Sequence, residues 1–133
     1  MATVIRRSQT TLIEKRREIV HAVGWQVQSS QWSPPTDMYE TEKDYVVRVE
    51  VAGMREADFE VTFESGFLLV NGTRPDVHER RAYHQMEIRF GKFSTAIAVP
   101  GPVDLDKSVA EYKDGFLTVL LQKEKPTEMK IED

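Results

Sequence analysis

Lys113-Asp114-Gly115-Phe116-Leu117-Thr118-Val119-Leu120-Leu121 is the stretch that decides the fold of this chain. Asp-Gly is a favoured two-residue hairpin pair, because a tight turn with positive φ at both central residues matches the twist of the strands it joins. The arm that follows, Phe116 to Leu121, is apolar at every position except Thr118. Such a strand is expected to be covered on both faces, inside a sandwich or beneath another layer. Ser108 to Tyr112 supplies the opposite arm of the hairpin. Further upstream Phe93, Thr95, Ile97 and Val99 alternate along a strand that ends at Val99-Pro100, and Gly101-Pro102 makes the connection.

The same period of two recurs toward the N-terminus. Tyr45, Val47, Val49 and Val51 alternate with Val46, Arg48 and Glu50, and Phe59, Val61 and Phe63 alternate with Glu60, Thr62 and Glu64. Period two is the signature of a strand with one face buried. Ser65-Gly66 offers a second two-residue turn, after which Phe67 to Val70 returns and Asn71-Gly72 ends the strand. Tyr83 to Phe90 reads as another strand, with His84, Met86, Ile88 and Phe90 on one face. Tyr45, Phe59, Phe63, Phe93 and Phe116 read as core. Short strands at this spacing, with glycine turns and no convincing helix between them, predict an all-β, immunoglobulin-like sandwich over residues 34–123.

Two flanking regions differ in composition. Residues 1–33 form an arm in which Thr11 and Glu14 fit a capping box, Leu12, Ile19 and Val23 share one helical face, and Gly24 stops the helix. Trp25 and Trp32 follow in a Gln/Ser-rich stretch closed by Pro34-Pro35. Such an arm cannot bury its own apolar stripe and must pack on the body, a partner or a client. Residues 124–133 form a charged, proline-containing tail expected to be flexible, with Met129-Lys130-Ile131 as its apolar feature. Alternate apolar residues in an extended tail suit docking along a sheet edge.

The 133 residues carry a net charge of −4, yet the arm holds Arg6, Arg7, Lys15, Arg16 and Arg17 against only Glu14 and Glu18. The arm lacks a run of five or more like charges and no aromatics interleave its arginines, so it reads as a solvated helix face rather than a nucleic-acid contact. No apolar run approaches the ~18 residues that a membrane-spanning helix needs, so stable membrane insertion is not expected. No secretory leader is evident, and the expected location is the cytoplasm.

Catalysis finds little footing. The chain has no cysteine, which excludes disulfides and thiol chemistry. His21, His78 and His84 lack metal-ligand spacing. No Gly-x-Ser-x-Gly turn and no glycine-rich phosphate loop is present. His84, on an alternating face, is expected to be packed or hydrogen-bonded. The chain is therefore expected to be no enzyme and to use no cofactor and no metal.

Ordered motifs add a further reading. Ala110-x-x-x-Asp114-Gly115-x-Leu117-x-Val119 resembles the signature of the alpha-crystallin domain of small heat-shock proteins. So do Pro35-x-Asp37-x-Tyr39-Glu40, Val51-Ala52-Gly53, Leu68-x-Val70-x-Gly72-x-Arg74, and the run from Tyr83 through Gly91-x-Phe93 to Val99-Pro100, the last much as in bacterial members. The resemblance covers about residues 34–123. It implies an ATP-independent holdase chaperone that binds unfolding client proteins under stress. The alternative is a co-chaperone adaptor that binds a folded chaperone with the same sandwich. It implies a dimer as building block, in which a strand in the loop between Gly72 and Tyr83 pairs with the partner's first strand. The interface residues expected on that basis are Asp37, Met38, Tyr39, Arg74, Glu79 and Arg80. Larger oligomers would use tail docking, here Met129 and Ile131, into a groove at Val61, Phe63 and Val109. Methionine stands where the family has a β-branched residue, so that docking is expected to be weaker. Threonine at Thr95 stands where the family often has arginine. Client binding is expected at Leu12, Ile19, Val20, Val23, Trp25 and Trp32.

Overall fold

The computed structural model describes residues 31–126 together with the strand backbone of Ala2–Thr3 and Arg6–Arg7. The two short strands are β1 (Ala2–Thr3) and β2 (Arg6–Arg7); then come β3 (Thr36–Glu40), β4 (Asp44–Glu50), β5 (Phe59–Glu64), β6 (Phe67–Arg74), β7 (Gly91–Ala98), β8 (Val109–Lys113) and β9 (Phe116–Gln122). They form two sheets, in the order β1-β8-β9-β4-β3 and β2-β5-β6-β7. The expected helix of the arm, with Leu12, Ile19, Val20, Val23 and Trp25, and the tail residues Met129 and Ile131 lie outside the described residues.

Both tight hairpins follow from local chemistry. Ser65 and Gly66 have φ of 48° and 87°, and Asp114 and Gly115 have 53° and 83°. Both turns therefore have positive φ at their two central positions, the geometry that lets a right-twisted hairpin close in two residues. Glycine carries the second position at no steric cost, while serine and aspartate accept the first.

The inward faces of the two sheets meet in one core. Val47, Val49 and Val51 from one sheet, with Leu117, Val119 and Leu121, face Val61, Leu68 and Val70 from the other, all essentially buried. A chain of rings crosses this core: Trp32 to Phe93 at 5.3 Å, Phe93 to Phe59 at 6.2 Å, Phe59 to Tyr112 at 5.0 Å. At its end the Tyr112 hydroxyl donates to the Val51 carbonyl at 2.8 Å and accepts from the Met54 N–H at 3.3 Å. One phenol thus serves the end of β4 and the turn beyond it without leaving its own polar atom unmet.

Four expectations are corrected. Trp32, placed in the arm, is 8% exposed, belongs to the core, and donates its indole N–H to the Gly91 carbonyl. β9 is not covered on both faces: Leu117, Val119 and Leu121 point inward, while Leu120 is exposed and Phe116 is half-buried beneath the Arg48 guanidinium at 4.6 Å. Antiparallel sheets tolerate one solvated face, and here a cation on a ring replaces a second layer. β6 runs on through Asn71-Gly72 to Arg74, because Gly72 and Arg74 keep their ladder with Phe93 and Gly91. Tyr83 to Phe90 forms no strand, and His84 is exposed. The segment has the pattern of a strand but pairs with no strand among the described residues.

Candidate functional site

The loop between β6 and β7, residues 75–90, is the longest irregular stretch among the described residues. It carries Val77, Tyr83, Met86 and Ile88, each more than half exposed. Sandwich cores normally consume such side chains, so a row of them on one loop marks an interaction surface. Met86 and Ile88 alternate with Gln85 and Glu87 along this loop, all four exposed.

The loop is held at both ends. At its base Arg74 donates from Nε to the Arg89 carbonyl at 2.7 Å and from a terminal nitrogen to the same oxygen. The Arg74 guanidinium lies 4.4 Å from the Trp32 ring and 5.4 Å from the Phe90 ring. Near its outer end Arg81 is the hub. It donates to Asp76 at 2.9 Å, Glu79 at 2.8 Å, Tyr83 Oη at 2.7 Å and the Val77 carbonyl at 3.1 Å. The hydrogen bond from Arg81 is the main reason the Asp76 carboxyl is held below the usual carboxylate range. Asp76 in turn, then Tyr83 and Glu79, hold the guanidinium more firmly protonated.

The sign of the pH effect follows. Asp76 is depressed in the folded loop, so the knot is intact above the ordinary carboxylate value and is lost as pH falls through the lowered one. Arg81→Ala should return Asp76 to an ordinary carboxylate titration, read from its side-chain carbon shift by NMR. A titration of Asp76 unaltered by the substitution would show that Arg81 is not what holds it.

β3 is the outer strand of its sheet, paired only with β4. Asp37 and Tyr39 are exposed on it, whereas Met38 points inward onto the core. Its far end is fixed by Lys123, 2% exposed, whose Nζ lies 2.6 Å from Glu40 Oε2, donates to the Thr41 carbonyl at 2.7 Å, and sits 5.1 Å from the Tyr45 ring. A charge so buried persists when it is paired and hydrogen-bonded, and the cluster locks β3 to the end of β9.

The expected site residues are distributed as follows. Arg74 and Glu79 engage their own loop, and Arg80 is exposed. In the expected groove, Val61 is 2% exposed within the core, Phe63 is half-buried, and Val109 is exposed on the outward face beside Leu120. The edges flanking that region are taken by the chain's own start: Ala2–Thr3 pairs with Glu111 and Ala110 of β8, and Arg6–Arg7 pairs with Thr62 and Phe63 of β5. The sequence reading puts Met86 and Ile88 on one face of an expected strand Tyr83–Phe90 and singles out neither, whereas both are exposed on the loop. It also missed Lys123, which looks like any tail lysine.

This architecture matches a known family along most of the chain: residues 37–132 fit the model of the Hsp20/alpha crystallin family. The chain belongs to the Hsp20/alpha crystallin family. It is 31% identical over 100 residues to small heat shock protein C4 of Rickettsia felis, covering 74% of this chain and 61% of that one. It is 34% identical over 104 residues to heat shock protein 16 of Schizosaccharomyces pombe, covering 74% and 71%. The match thus spans about three-fifths of the length of the bacterial relative. Among solved structures, heat shock protein 16.0 of Schizosaccharomyces pombe superposes with a TM-score of 0.70 at 30% identity, covering 77% of this chain and 97% of that one. HspA of Xanthomonas axonopodis gives 0.66 at 26% identity, covering 73% and 99%. Among the described residues, no helix of this chain is long and apolar enough to cross a membrane, and no group of three or more metal-ligating side chains gathers.

Proposed function

We propose that this protein is an ATP-independent holdase chaperone that works from a dimeric unit. The match of residues 37–132 to the Hsp20/alpha crystallin family carries this reading. Within the chain, the loop bearing Met86 and Ile88 has strand-like alternation and pairs with no strand among the described residues, and β3 of a second copy offers an edge at Asp37 and Tyr39. The crossing segment is then Tyr83 to Phe90. Arg74 and the Arg81 knot, with Glu79, act by holding the loop out, and Arg80 is left to meet the partner.

Clients bind at the arm, through Leu12, Ile19, Val20, Val23 and Trp25; Trp32 is withdrawn from that set because it is core. Burial contributes about 25 cal/mol per Å², so several loose contacts of about 100 Å² each hold a client without shape complementarity. The acidic body keeps the complex in solution. Met129 and Ile131 dock at the β5–β8 side only by displacing β1 and β2.

Light scattering of a heat-unfolding model protein, without ATP, tests this reading. The full chain should suppress scattering near equimolar ratio, and a variant lacking residues 1–30, which keeps Trp32, should lose most of that effect. Full suppression by the truncated variant would remove the arm from client binding. No suppression by the full chain, together with one-to-one binding to a folded ATP-dependent chaperone, would establish the adaptor instead.

A further inference from the structure

Antiparallel pairing fixes which main-chain groups of β3 face its sheet and which face away. Along such a pair, residues that exchange hydrogen bonds across the ladder alternate with residues that do not. The Glu50 N–H donates to the Pro35 carbonyl at 2.9 Å, and the Thr41 N–H donates to the Asp44 carbonyl at 2.8 Å. These two bonds bracket β3 and share a parity. Asp37 and Tyr39, opposite Arg48 and Val46, therefore also turn their main chain toward β4. Thr36, Met38 and Glu40 point their N–H and C=O groups the other way, off the sheet, because β3 is its outer strand. A strand laid along β3 thus meets three rungs, and Glu40 is the last of them.

That last rung is the one Lys123 holds. Its Nζ lies 2.6 Å from Glu40 Oε2 and donates to the Thr41 carbonyl at 2.7 Å. The Asp44 N–H goes to the Thr41 hydroxyl at 3.1 Å, so the lysine takes the carbonyl beside it. The lysine main chain is fixed on both flanks: its N–H donates to the Lys43 carbonyl at 2.8 Å, and Val103 bridges it from the other side. The Lys123 side chain is 2% exposed and the Glu40 side chain 41%. A packed anchor therefore grips a residue at the surface. The ends of a short outer strand are the first part of a sheet to open. An edge already ordered before association spares the complex the entropy of ordering it.

From this we propose that Lys123 is the positioning residue of the dimer edge. It keeps Glu40 and Thr41 in strand geometry, so that segment Tyr83–Phe90 of a second copy meets three rungs of β3 rather than two. This role rests on the proposed dimeric unit and adds a residue outside both strands of the contact.

Sedimentation velocity over a dilution series reads the dimer, and amide hydrogen exchange reads the edge. Lys123→Met keeps the length of the side chain and removes its charge. It should raise the dissociation constant about thirtyfold. Glu40→Ala acts at the surface and spares the core, and should raise it about fivefold. The double variant should match Lys123→Met, because both changes break one contact. Glu40→Gln, which still accepts from the lysine, should stay within about twofold of the parent. In dilute Lys123→Met the Tyr39 and Thr41 amides should exchange about tenfold faster, with the Val70 amide of the other sheet unchanged. A dimeric parent whose dissociation constant ignores both Lys123→Met and Glu40→Ala overturns the role and leaves the dimer standing. A Val70 amide that quickens as much as Thr41 makes the lysine a general prop of the fold and overturns it too. A parent that stays monomeric at every concentration removes the dimeric unit itself, and the role falls with it.

Discussion

Replacing Met86 and Ile88 together with aspartate should turn the dimer into folded monomers. Both side chains are about two-thirds exposed in the single chain, at 68% and 65%, so their loss leaves the core untouched. In a dimer with the loop laid along β3 of a partner, each would bury about 100 Å², worth about 2.5 kcal/mol. Aspartates in their place would also be desolvated without a counter-charge. The sum is about 5 kcal/mol or more, which is roughly several thousandfold in the dissociation constant. Sedimentation velocity over a dilution series reads it. Val109→Asp, 45% exposed on the outward face of β8, is the control and should leave the dimer intact. Dimers of the doubly substituted chain that survive at the same dilution as the parent would place the contact elsewhere.

Gly72→Ala should cost about 3 kcal/mol of folding stability, at the upper end of what overpacking one methyl group costs. A Cβ at Gly72 would stand 2.5 Å from Cζ of Phe93 and 2.8 Å from the carbonyl oxygen of Asp58. The Phe93 ring is 2% exposed and sits between Trp32 and Phe59, so it has no empty space to swing into. The carbonyl belongs to backbone at the start of β5. At 4–8 °C per kcal/mol for a domain of this size, the midpoint of thermal unfolding should fall by more than about 10 °C. Thr73→Ala, one residue on and exposed, should shift it by no more than about 3 °C. A loss below about 1 kcal/mol at Gly72, from urea midpoints, would mean that the ring and carbonyl yield far more readily than their packing indicates.

What could be read from the chain, and what could not, divides by the range of the interaction. Ser65-Gly66 and Asp114-Gly115 were legible because a two-residue turn depends on its own φ angles. Phe59–Glu64 was legible to the residue because its alternation is bounded by turn chemistry. Trp32 was not, since it follows a Gln/Ser-rich stretch and its place is set by Gly91, 59 residues away. Lys123 was hidden in the same way, its partner Thr41 lying 82 residues distant. Phe116 shows that apolarity does not say what covers a ring: here it is the Arg48 side chain. Met86 and Ile88 show the limit of periodicity. Period two says that a segment has two unlike faces, and it is silent on whether the neighbour that hides one of them belongs to the same molecule. As for the candidate site, the β3 positions Asp37 and Tyr39 were in view from the motif, whereas the roles of Arg74 and Glu79 within their own loop became clear only from the hydrogen bonds they make.

The first residues of the chain bear on a different hazard. In the proposed holdase role this chain would be surrounded by unfolded segments searching for a sheet to extend. β5 and β8 would each be a template for such growth, and growth from two margins is how fibrils propagate. Ala2–Thr3 and Arg6–Arg7 occupy both, as strands of two residues, too brief to recruit a further strand and carrying arginines at one margin. The strands Ala2–Thr3 and Arg6–Arg7 are thus a hem sewn to both layers of the sandwich, and removing them should shorten the lag before amyloid-dye binding when this chain is incubated warm and alone.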